Sequence, residues 1–477
     1  MKILTIGLVP KFIEKMIIPI QEVSGFRFVN AMISHDQQTK NFRKKWDSIE
    51  VIQLIDPVDL RNESDAFNTL VRLESFGVPT ISQMIAGDRA LVNLDSSISI
   101  RYLNHLVKRM SQIIEDVNPD VILSTHDNAH SSVSLAIAKK MNIPWVAMVY
   151  SVIPSNLTTF TKNLSPNHML PIKKISDGDA RKLAINAIQQ VRTKTIDIVA
   201  YYPPASLGSK ILQVFNHFRN FFNRIFVPGS GDTHYISSTF NRFKDILRRK
   251  FNFLFLPKIL IDKPPATKYI FFPLHMLPES VIDVWEPYFQ DQLALIKQIS
   301  LAVPADTLFV VKLHFSDPDN YSPWVLKKLA ALHNVRVVFP NTLGFDFVSH
   351  AALVVGINGT ALLEAALIGK PTIIFGDSPY IEFPLAERAE SFKNLHAQLS
   401  RMLLSHEVED DVIIDDFTKY IQKFMPGRVN DWRKDLSEED IALFSNCFLS
   451  LNEYLESPGV RENWYMTSPF VKEDPLC

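Results

Sequence analysis

Three stretches of the chain decide the fold: YIFFPLHMLPE (269–279), TLFVVKLH (307–314) and ALVVGINGTALLE (352–364). Each begins with a run rich in Val, Ile and Phe that ends in polar residues or glycine. Similar apolar runs occur at 335–339 and 372–375, and helical-length stretches separate most of the five. This alternation predicts a parallel sheet with helices on both faces. Because ligands of such sheets bind beyond the carboxyl ends of the strands, we expect the functional residues there.

A histidine and a carboxylate follow the first strand end. His275 and Glu279 lie four residues apart, and Pro278 makes the intervening backbone a loop rather than a helix interior. Both side chains can then point into the crevice and act as an acid, base or nucleophile pair. The alternative is structural: Glu279 caps the helix that follows, and His275 is a packed loop residue.

The next two polar strand ends carry candidate phosphate ligands. Lys312 and His314 share one face of their strand by alternation, and together they form a cationic pair suited to a phosphate group. Asn358 and Gly359 lead from a strand into a helix at Thr360. The backbone N–H groups at that helix N-terminus and the Thr360 hydroxyl predict an anion site.

Glu364 lies one turn further into the same helix. If Thr360 is the N-cap, the capping-box position is Leu363, so a capping role explains Glu364 poorly. We therefore expect Glu364 to hydrogen-bond ribose hydroxyls. The alternative is a solvated or salt-bridged helix residue.

The first part of the chain repeats the alternation of strands and helices. Apolar runs at 3–9, 51–55, 121–124 and 145–149 predict strands, and 131–141 has helical spacing. We therefore predict a second nucleotide-fold-like domain.

A polar cluster follows the predicted strand at 121–124. His126 and His130 have the i, i+4 spacing of zinc ligands, but no Glu follows His126, which lies at a strand end rather than on a helix. We predict acceptor-side roles for the two histidines and a catalytic role for their neighbour Asp127.

Signals of other enzyme classes are weak or absent. Asp317 and Asp319 imitate the D-x-D metal motif, but Pro318 between them favours a turn. The sequence contains neither G-x-G-x-x-G nor G-x-x-x-x-G-K-[ST], which argues against dinucleotide dehydrogenases and P-loop enzymes. We predict no metal site and no cofactor beyond a donor substrate.

Composition limits the class of protein. A chain of 477 residues that is 47% hydrophobic can bury two cores, and its net charge of -1 argues against nucleic-acid binding. Only Cys447 and Cys477 are present, which fits a reducing compartment. The apolar run at the N-terminus is cut by Pro10 and Lys11, and no other run reaches membrane-span length. We expect a cytoplasmic protein, at most peripheral on the inner face of a membrane.

Composition changes between residues 201 and 268, where we predict a linker and an insertion. Two aromatic and basic stretches, 210–226 and 240–251, lie inside it, and four phenylalanines of the first share one helical face. Either this face packs against a core, or the helix docks on anionic lipid or a lipid-linked acceptor. The predicted domains are then 1–200, 269–400 and a C-terminal helical segment, 401–477, that packs across the two.

The second half of the chain is similar to the bacterial capsule and surface polysaccharide biosynthesis proteins. Those proteins are glycosyltransferases of the GT-B type, with two Rossmann-like domains that face a cleft, and several transfer Kdo from CMP-Kdo. The likeness covers about 110 residues, and the N-terminal half only in architecture. The residues that carry it are 272–279, 291–292, 312–314, 359–361, 364–365, 369–371 and 376.

The resemblance implies roles for individual residues. His314 would contact the nucleotide phosphate, Gly359 and Thr360 would hold phosphate, and Glu364 would hold ribose. Glu279 matches a family Asp that acts on the anomeric carbon.

Two departures from the family pattern matter. Kdo-transferring members carry Gln and Asp where this chain has His275 and Glu279, which leaves the donor sugar and the stereochemistry open. The family's His-Pro pair is here His314 and Phe315.

The leading hypothesis is a metal-independent glycosyltransferase. It would move a sugar from a CMP- or UDP-linked donor to a growing surface or capsular polysaccharide or a glycolipid. One alternative is a sugar-nucleotide epimerase of the same fold, with Glu279 and His275 as acid and base. Another is a non-catalytic envelope assembly protein that docks through the aromatic face of 215–226.

Overall fold

The computed structural model divides the chain into two compact units. Unit 1 comprises the described residues of Met1–Ile175 and Lys423–Cys477, and unit 2 those of Ser176–Ile225 and Ser238–Gln422. The residues that the structure describes are 1–32, 42, 45, 49–55, 60, 62–77, 79–172, 174–195, 247–249, 251–252, 260–315, 320–405, 408–427 and 436–465.

Strands and helices alternate along most of the described chain. The strands are β1 (Lys2–Ile6), β2 (Arg27–Met32), β3 (Val51–Gln53), β4 (Val121–Ser124), β5 (Trp145–Tyr150), β6 (Leu157–Thr161), β7 (Tyr269–Pro273), β8 (Leu308–Lys312), β9 (Val335–Val338), β10 (Leu353–Gly356), β11 (Thr372–Ile374), β12 (Ala386–Arg388) and β13 (Met425–Pro426).

The α-helices are α1 (Pro10–Phe12), α2 (Ile18–Ser24), α3 (Asn68–Glu74), α4 (Ile81–Ala86), α5 (Ser96–Val117), α6 (Asn128–Met141), α7 (Asp177–Arg192), α8 (Gln292–Ala302), α9 (Pro323–Ala330), α10 (Gly344–His350), α11 (Thr360–Leu367), α12 (Leu395–Met402), α13 (Asp410–Ile421) and α14 (Glu438–Glu456). Short π-helices, Ile13–Ile17 and Val281–Trp285, follow the first strand of each unit.

Each unit contains one mainly parallel β-sheet of the Rossmann type. The sheet of unit 1 has the order β13–β6–β5–β4–β1–β2–β3, and that of unit 2 has the order β12–β11–β10–β7–β8–β9. Neighbouring strands are parallel except for the pairs β5–β6 and β6–β13. In both sheets the chain order reverses beside the first strand, between β1 and β4 and between β7 and β10. These two positions are the switch points at which Rossmann sheets bind ligands.

The predicted α/β fold with two Rossmann-like units, the architecture of the GT-B class, is confirmed. The cleft between the domains stays a prediction.

The central strands are mostly apolar because helices cover both of their faces. In β7, Ile270, Phe271 and Phe272 are completely buried. The ring of Phe271 stacks on that of Phe347 in α10 at 5.9 Å, and Phe272 packs against Phe309 of β8 at the same centroid distance. Because β7 is buried on both faces, its C-terminal end is fixed in position by the core.

Four strands were not predicted. In β2 (RFVNAM), Arg27 and Asn30 interrupt the apolar run, although Asn30 is buried and accepts a hydrogen bond from the hydroxyl of Thr5 at 2.7 Å. The strands β6, β12 and β13 are short or polar, and their pairing partners rather than their own composition place them in the sheets.

Unit 2 extends beyond the predicted boundaries near residues 200 and 401, because it begins at Ser176 and ends at Gln422. Helix α7 belongs to unit 2, where Arg192 binds both carboxylate oxygens of Asp410 in α13 at 2.6 and 2.7 Å. After α13 the chain returns to unit 1: β13 pairs with β6, and Phe448 of α14 packs edge-on against Phe28 and Phe160.

Most of the predicted insertion, including its 210–226 stretch, and the Asp317–Asp319 motif lie outside the described residues. Among the described helices, none is long and apolar enough to cross a membrane.

Candidate active site

His275 and Glu279 form a hydrogen-bonded pair just beyond β7. His275 Nδ1 lies 3.1 Å from Glu279 Oε2, and the His275 side chain is almost fully buried. Burial opposes ionisation of Glu279. The hydrogen bond from His275 and the charges of His275 and His314 outweigh burial and hold the pKa of Glu279 below its ordinary value. Since an ionised carboxylate only accepts hydrogen bonds, His275 Nδ1 carries the proton and donates it. The two side chains therefore contact each other, and their catalytic role stays a prediction.

The backbone of His275 is held by the side-chain amide of Gln292 in α8. The His275 N–H donates to Gln292 Oε1 at 2.8 Å, and Gln292 Nε2 donates to the His275 carbonyl at 3.2 Å. Gln292 is itself buried. The loop after β7 therefore has a fixed main-chain position at the residue that orients Glu279.

His314 follows β8 and lies within electrostatic range of the pair. Burial, together with the positive charges of His275 and Lys312, outweighs the charge of Glu279 and lowers the pKa of His314 to about 4. Its ring stacks on that of Phe315 at 4.8 Å, so the residue that replaces the family's proline supports the imidazole. At neutral pH His314 is therefore uncharged.

Lys312 is buried and bound to backbone rather than aimed openly into the crevice. Its Nζ donates to the carbonyls of Leu313 at 3.1 Å and Pro340 at 3.0 Å. Burial lowers the pKa of Lys312 to about 8. Its charge still acts on His314, but its phosphate role stays a prediction.

The turn from β10 into α11 brings the predicted anion site against His275. Gly359 has a φ of +126°, which favours glycine, and its N–H donates to Asn358 Oδ1 at 2.8 Å. A Cβ at Gly359 would lie 3.0 Å from His275 Cε1. The same Asn358 oxygen accepts from the Ser378 hydroxyl at 3.0 Å, which ties this turn to the end of β11. The first strand end and the start of α11, at Thr360, are therefore neighbours in space.

Glu364 is buried in α11, which excludes the solvated alternative. It is 7% exposed, and no ion pair to it is found among the described residues. Burial raises the pKa of Glu364 to about 8. A carboxyl group in such a place is suited to hydrogen bonding with a neutral polar ligand such as a sugar diol. The ribose role stays a prediction.

A second buried carboxylate, Glu286, was not found from the sequence. It accepts a hydrogen bond from the N–H of Asp377 after β11, and a Cβ at Gly376 would lie 2.7 Å from its carboxyl carbon. Burial and the nearby Asp377 charge outweigh that hydrogen bond and the charge of Arg388, and they raise the pKa of Glu286 to about 7. The glycine and the acid are 90 residues apart in the chain (376 minus 286), so the only sequence signal was the glycine at a strand end.

The polar cluster of unit 1 lies at the switch point of its own sheet. His126 has a backbone carbonyl at each ring nitrogen, Leu164 O at 2.6 Å and Met148 O at 3.2 Å, and burial lowers its pKa. Asp127 pairs with Arg89 at 3.2 Å on the surface. His130 is buried, and a Cβ at Gly7 would lie 2.2 Å from its Nε2. The acceptor and catalytic roles of these residues stay predictions.

The start of α6 in unit 1 is occupied by a carboxylate from the same chain. Asp88 is completely buried. Its Oδ1 accepts from the N–H groups of Ala90 at 2.9 Å and Leu91 at 3.0 Å, and its Oδ2 accepts from the Ala129 N–H at 3.0 Å. The sequence analysis missed this residue, which precedes the short helix Leu91–Asn93.

The described side chains form no cluster of potential metal ligands. In the ranges that the structure covers, no three side chains of His, Cys, Asp or Glu lie together in a way that could hold a metal ion.

Several solved structures are similar to this chain at low identity. A UDP-GlcNAc 2-epimerase from Neisseria meningitidis, bound to UDP-GlcNAc, is 13% identical, with 88% of this chain and 98% of that chain covered and a TM-score of 0.29. KpsC from Thermosulfurimonas dismutans, a beta Kdo 2,7 transferase, is 13% identical over 72% of this chain and 89% of its own, with a TM-score of 0.31. The spinosyn forosaminyltransferase SpnP is 11% identical over 95% and 99%, with a TM-score of 0.26.

TM-scores of this size carry no argument about the activity of this chain. No protein-family model matches the sequence, and no curated protein is found similar to it. The functional assignment therefore depends on the geometry of the site.

Proposed function

We propose that the protein is a glycosyltransferase that binds a nucleotide-sugar donor at the switch point of unit 2. The observation that carries the proposal is the contact between the His275–Glu279 pair and the glycine that opens α11. It puts the imidazole of His275, the partner of Glu279, beside a helix N-terminus, and a helix N-terminus is a ready site for phosphate.

The donor would lie across these elements in a defined order. Its phosphate would accept hydrogen bonds from the N–H groups at the start of α11 and from neutral His314. Its ribose would meet Glu364, whose raised pKa favours the protonated form that can donate as well as accept. The sugar would then reach Glu279.

The proposed reaction transfers the sugar from the donor phosphate to an acceptor hydroxyl. The oxygen of an acceptor hydroxyl bonds to the anomeric carbon, the bond from that carbon to the phosphate oxygen breaks, and the electron pair leaves with the phosphate. Glu279, ionised because of His275, takes the proton of the hydroxyl. Fixed N–H donors at α11 stabilise the departing phosphate as its charge grows.

The acceptor and the place of the reaction follow from the sequence resemblance. We propose a surface or capsular polysaccharide or a glycolipid as acceptor, with His126, Asp127 and His130 on the acceptor side. The enzyme would be cytoplasmic, with peripheral membrane contact through 210–226 and 240–251.

The first experiment is thermal stabilisation by nucleotides. Wild-type protein is heated with CMP, CDP, UDP, GDP and their sugars, since a ligand at 100 times its dissociation constant adds about 2.7 kcal/mol. We expect one nucleotide class to stabilise the wild type and His333→Ala, an exposed histidine of the same unit, but not His314→Ala. If no nucleotide or sugar nucleotide stabilises the wild type, the donor site is refuted and the assembly-protein hypothesis gains.

The His275–Glu279 pair also favours one second candidate, an epimerase. An acid and a base on one sugar ring would exchange a ring hydrogen with solvent. Deuterium uptake into the sugar nucleotide without any acceptor would support that candidate. Sugar transfer to an acceptor with no deuterium uptake would support the transferase.

A further inference from the structure

The loop after β7 carries a second buried carboxyl group to the far side of the switch point of unit 2. Glu286 is 8% exposed, and its Oε1 accepts a hydrogen bond from the Asp377 N–H just after β11. In the sheet of unit 2, β10 lies between β7 and β11. The loop therefore passes the carboxyl end of β10, where the chain turns into α11, before it reaches β11.

The Glu286 carboxyl lies against this turn. A Cβ added at Gly376 would be 2.7 Å from the carboxyl carbon of Glu286 and 2.7 Å from the carbonyl oxygen of Ile357, the last residue before Asn358. Asn358 Nδ2 donates to the carbonyl of Asp377 at 3.4 Å. Glu286, the end of β11 and the first residues of the turn therefore form one contiguous group.

Glu279 reaches the same turn from the other direction. Its partner His275 lies against Gly359, with 3.0 Å between His275 Cε1 and a Cβ added at that glycine. The two acids are seven residues apart in the chain (286 minus 279). A donor bound at the start of α11 would therefore have acids of one loop on both sides of it.

The protein uses only one oxygen of Glu286. No hydrogen bond to Oε2 is found among the residues that the structure describes, and this atom keeps some contact with solvent. Because burial opposes ionisation, a carboxyl group at this position is costly. A neutral side chain could accept from the Asp377 N–H at lower cost. The second oxygen therefore indicates a ligand that donates a hydrogen bond.

Charge restricts the chemistry of this ligand. A phosphate is disfavoured here, because Asp377 places a second carboxylate beside Glu286, in an ion pair with Arg388 at 3.2 Å. The part of the donor that fits is uncharged and carries hydroxyl groups. Two such parts flank the phosphate of a nucleotide sugar, the ribose and the transferred sugar. The proposed function assigns the ribose to Glu364, which leaves the transferred sugar for Glu286.

We propose that Glu286 is a specificity-determining residue that accepts a hydrogen bond from one ring hydroxyl of the transferred sugar. The inference rests on the proposed transferase activity and assigns the group that selects the donor sugar. Glu279 would act at the anomeric carbon, while Glu286 holds the ring.

The test compares Glu286→Gln, Glu286→Ala and Asp291→Asn in the full chain. Gln keeps an oxygen for the Asp377 N–H, but its NH2 group replaces the second carboxylate oxygen. Asp291 is a matched control at the end of the same loop, because its Oδ1 also accepts from a backbone N–H, that of Ala294 at 3.0 Å, but it is exposed. Each protein is titrated calorimetrically with the free nucleotide and the sugar nucleotide that stabilise the wild type most among CMP, CDP, UDP, GDP and their sugars.

We expect Glu286→Gln to bind the sugar nucleotide about 10- to 100-fold more weakly, the size of a hydrogen bond to a charged group, and the free nucleotide as the wild type does. Glu286→Ala should show the same loss and a lower thermal stability, since the Asp377 N–H also loses its acceptor. Asp291→Asn should bind both compounds as the wild type does.

Deoxy analogues of the sugar nucleotide, each without one ring hydroxyl, separate sugar recognition from a structural role. One analogue should bind the wild type about 10- to 100-fold more weakly than the parent compound, and Glu286→Gln should bind that analogue and the parent equally. If Glu286 only held the loop, its replacement would weaken all analogues alike.

The inference is refuted if Glu286→Gln keeps the wild-type ratio of sugar-nucleotide to nucleotide affinity. It is also refuted if Glu286→Gln weakens the free nucleotide as much as the sugar nucleotide, which would place the contact of Glu286 at the ribose or the base. Both results leave the transferase proposal intact, because the wild type still binds the donor. A wild type that binds no nucleotide and no sugar nucleotide would overturn both proposals.

Discussion

A glycine and a histidine lie together at the switch point of each unit, but their places in the two sheets are exchanged. In unit 1 the glycine follows the first strand and the histidine sits on the helix after β4, whereas in unit 2 the histidine follows the first strand and the glycine opens the helix after β10. In unit 1, Asp88 accepts one hydrogen bond at the N-terminus of α6, from the Ala129 N–H, and two more from the N–H groups of Ala90 and Leu91. At the start of α11 in unit 2, the Gly359 N–H donates to the neutral oxygen of its own neighbour, Asn358.

This difference supports the proposal that unit 2 takes the anionic part of the donor. A helix N-terminus that already holds a carboxylate has its N–H groups and its dipole compensated. One that holds a neutral amide oxygen keeps its attraction for phosphate. The comparison therefore favours unit 2 as the nucleotide side for a reason independent of the sequence resemblance.

The largest expected effects come from adding a methyl group to each glycine. Gly359→Ala forces a side chain into a backbone with φ of +126° and against His275, so nucleotide affinity should fall more than about 100-fold. Gly7→Ala meets His130 at 2.2 Å and should lower the free energy of unfolding by about 3 to 4 kcal/mol through overpacking and left-handed strain. Calorimetric titration with nucleotide measures the affinity of Gly359→Ala. Urea unfolding measures the stability of Gly7→Ala.

The comparison predicts that these losses are of different kinds. A folded Gly7→Ala protein should bind nucleotide as the wild type does. Weakened binding in Gly7→Ala, or wild-type binding in Gly359→Ala, would remove the distinction between the two switch points.

The second prediction concerns the buried acid of α11. The pKa of Glu364 is about 8 in the folded protein against 4.5 for an unperturbed glutamate, so its stability contribution is complete below pH 4.5 and is lost as the pH rises to 8. A shift of this size corresponds to about 5 kcal/mol. Glu364→Gln should therefore be more stable than the wild type at pH 8.5, by up to that amount, and equal at pH 4.5.

Ligand binding provides a second, independent test of Glu364. Glu364→Gln should bind a ribonucleotide more weakly and should no longer prefer it over the 2′-deoxy form. Glu439→Gln, an exposed change at the start of α14, is the control and should alter neither property. Retained ribose preference in Glu364→Gln would move the sugar contact elsewhere.

The third prediction concerns the removal of the Asp88 carboxylate from unit 1. Asp88→Ala removes three hydrogen bonds to buried N–H groups, so the free energy of unfolding should fall by about 3 kcal/mol. Sulfate should restore part of this loss beyond its effect on the wild type, at matched ionic strength. Equal responses of the two proteins to sulfate would mean that Asp88 does not stand in for an anion.

The smallest effect is expected at the surface pair of unit 1. Arg89 and Asp127 are 42% and 36% exposed at 3.2 Å, so Arg89→Met should change the free energy of unfolding by less than about 1 kcal/mol. If Asp127 is catalytic, Asp127→Asn should reduce transfer while nucleotide binding stays constant. Full transfer activity in Asp127→Asn would restrict this cluster to a structural role.

The sequence was informative where local chemistry coincides with topology. The strand ends at His275, His314 and Asn358 could be located because apolar runs stop abruptly there, and Pro278 predicted the loop that lets His275 meet Glu279. The parallel order then follows from the alternation of strands and helices.

What could not be predicted depends on contacts between distant segments. Lys312 and His314 were assigned one role by strand alternation, but Lys312 is bound to the carbonyl of Pro340, which no local pattern indicates. The burial of Glu364 follows from packing around α11. Glu286 needs Gly376, and Asp88 needs Ala129, so each requires the folded chain to be recognised.

The return of the chain to unit 1 has a consequence for how the protein is made. Phe448, which packs against the rings of Phe28 and Phe160, is synthesised 288 residues after Phe160 (448 minus 160). Because domains generally fold as they emerge, unit 2 can be completed while unit 1 still lacks β13 and α14. Until those elements are made, part of the core of unit 1 stays uncovered, and exposed apolar surface of this kind favours aggregation.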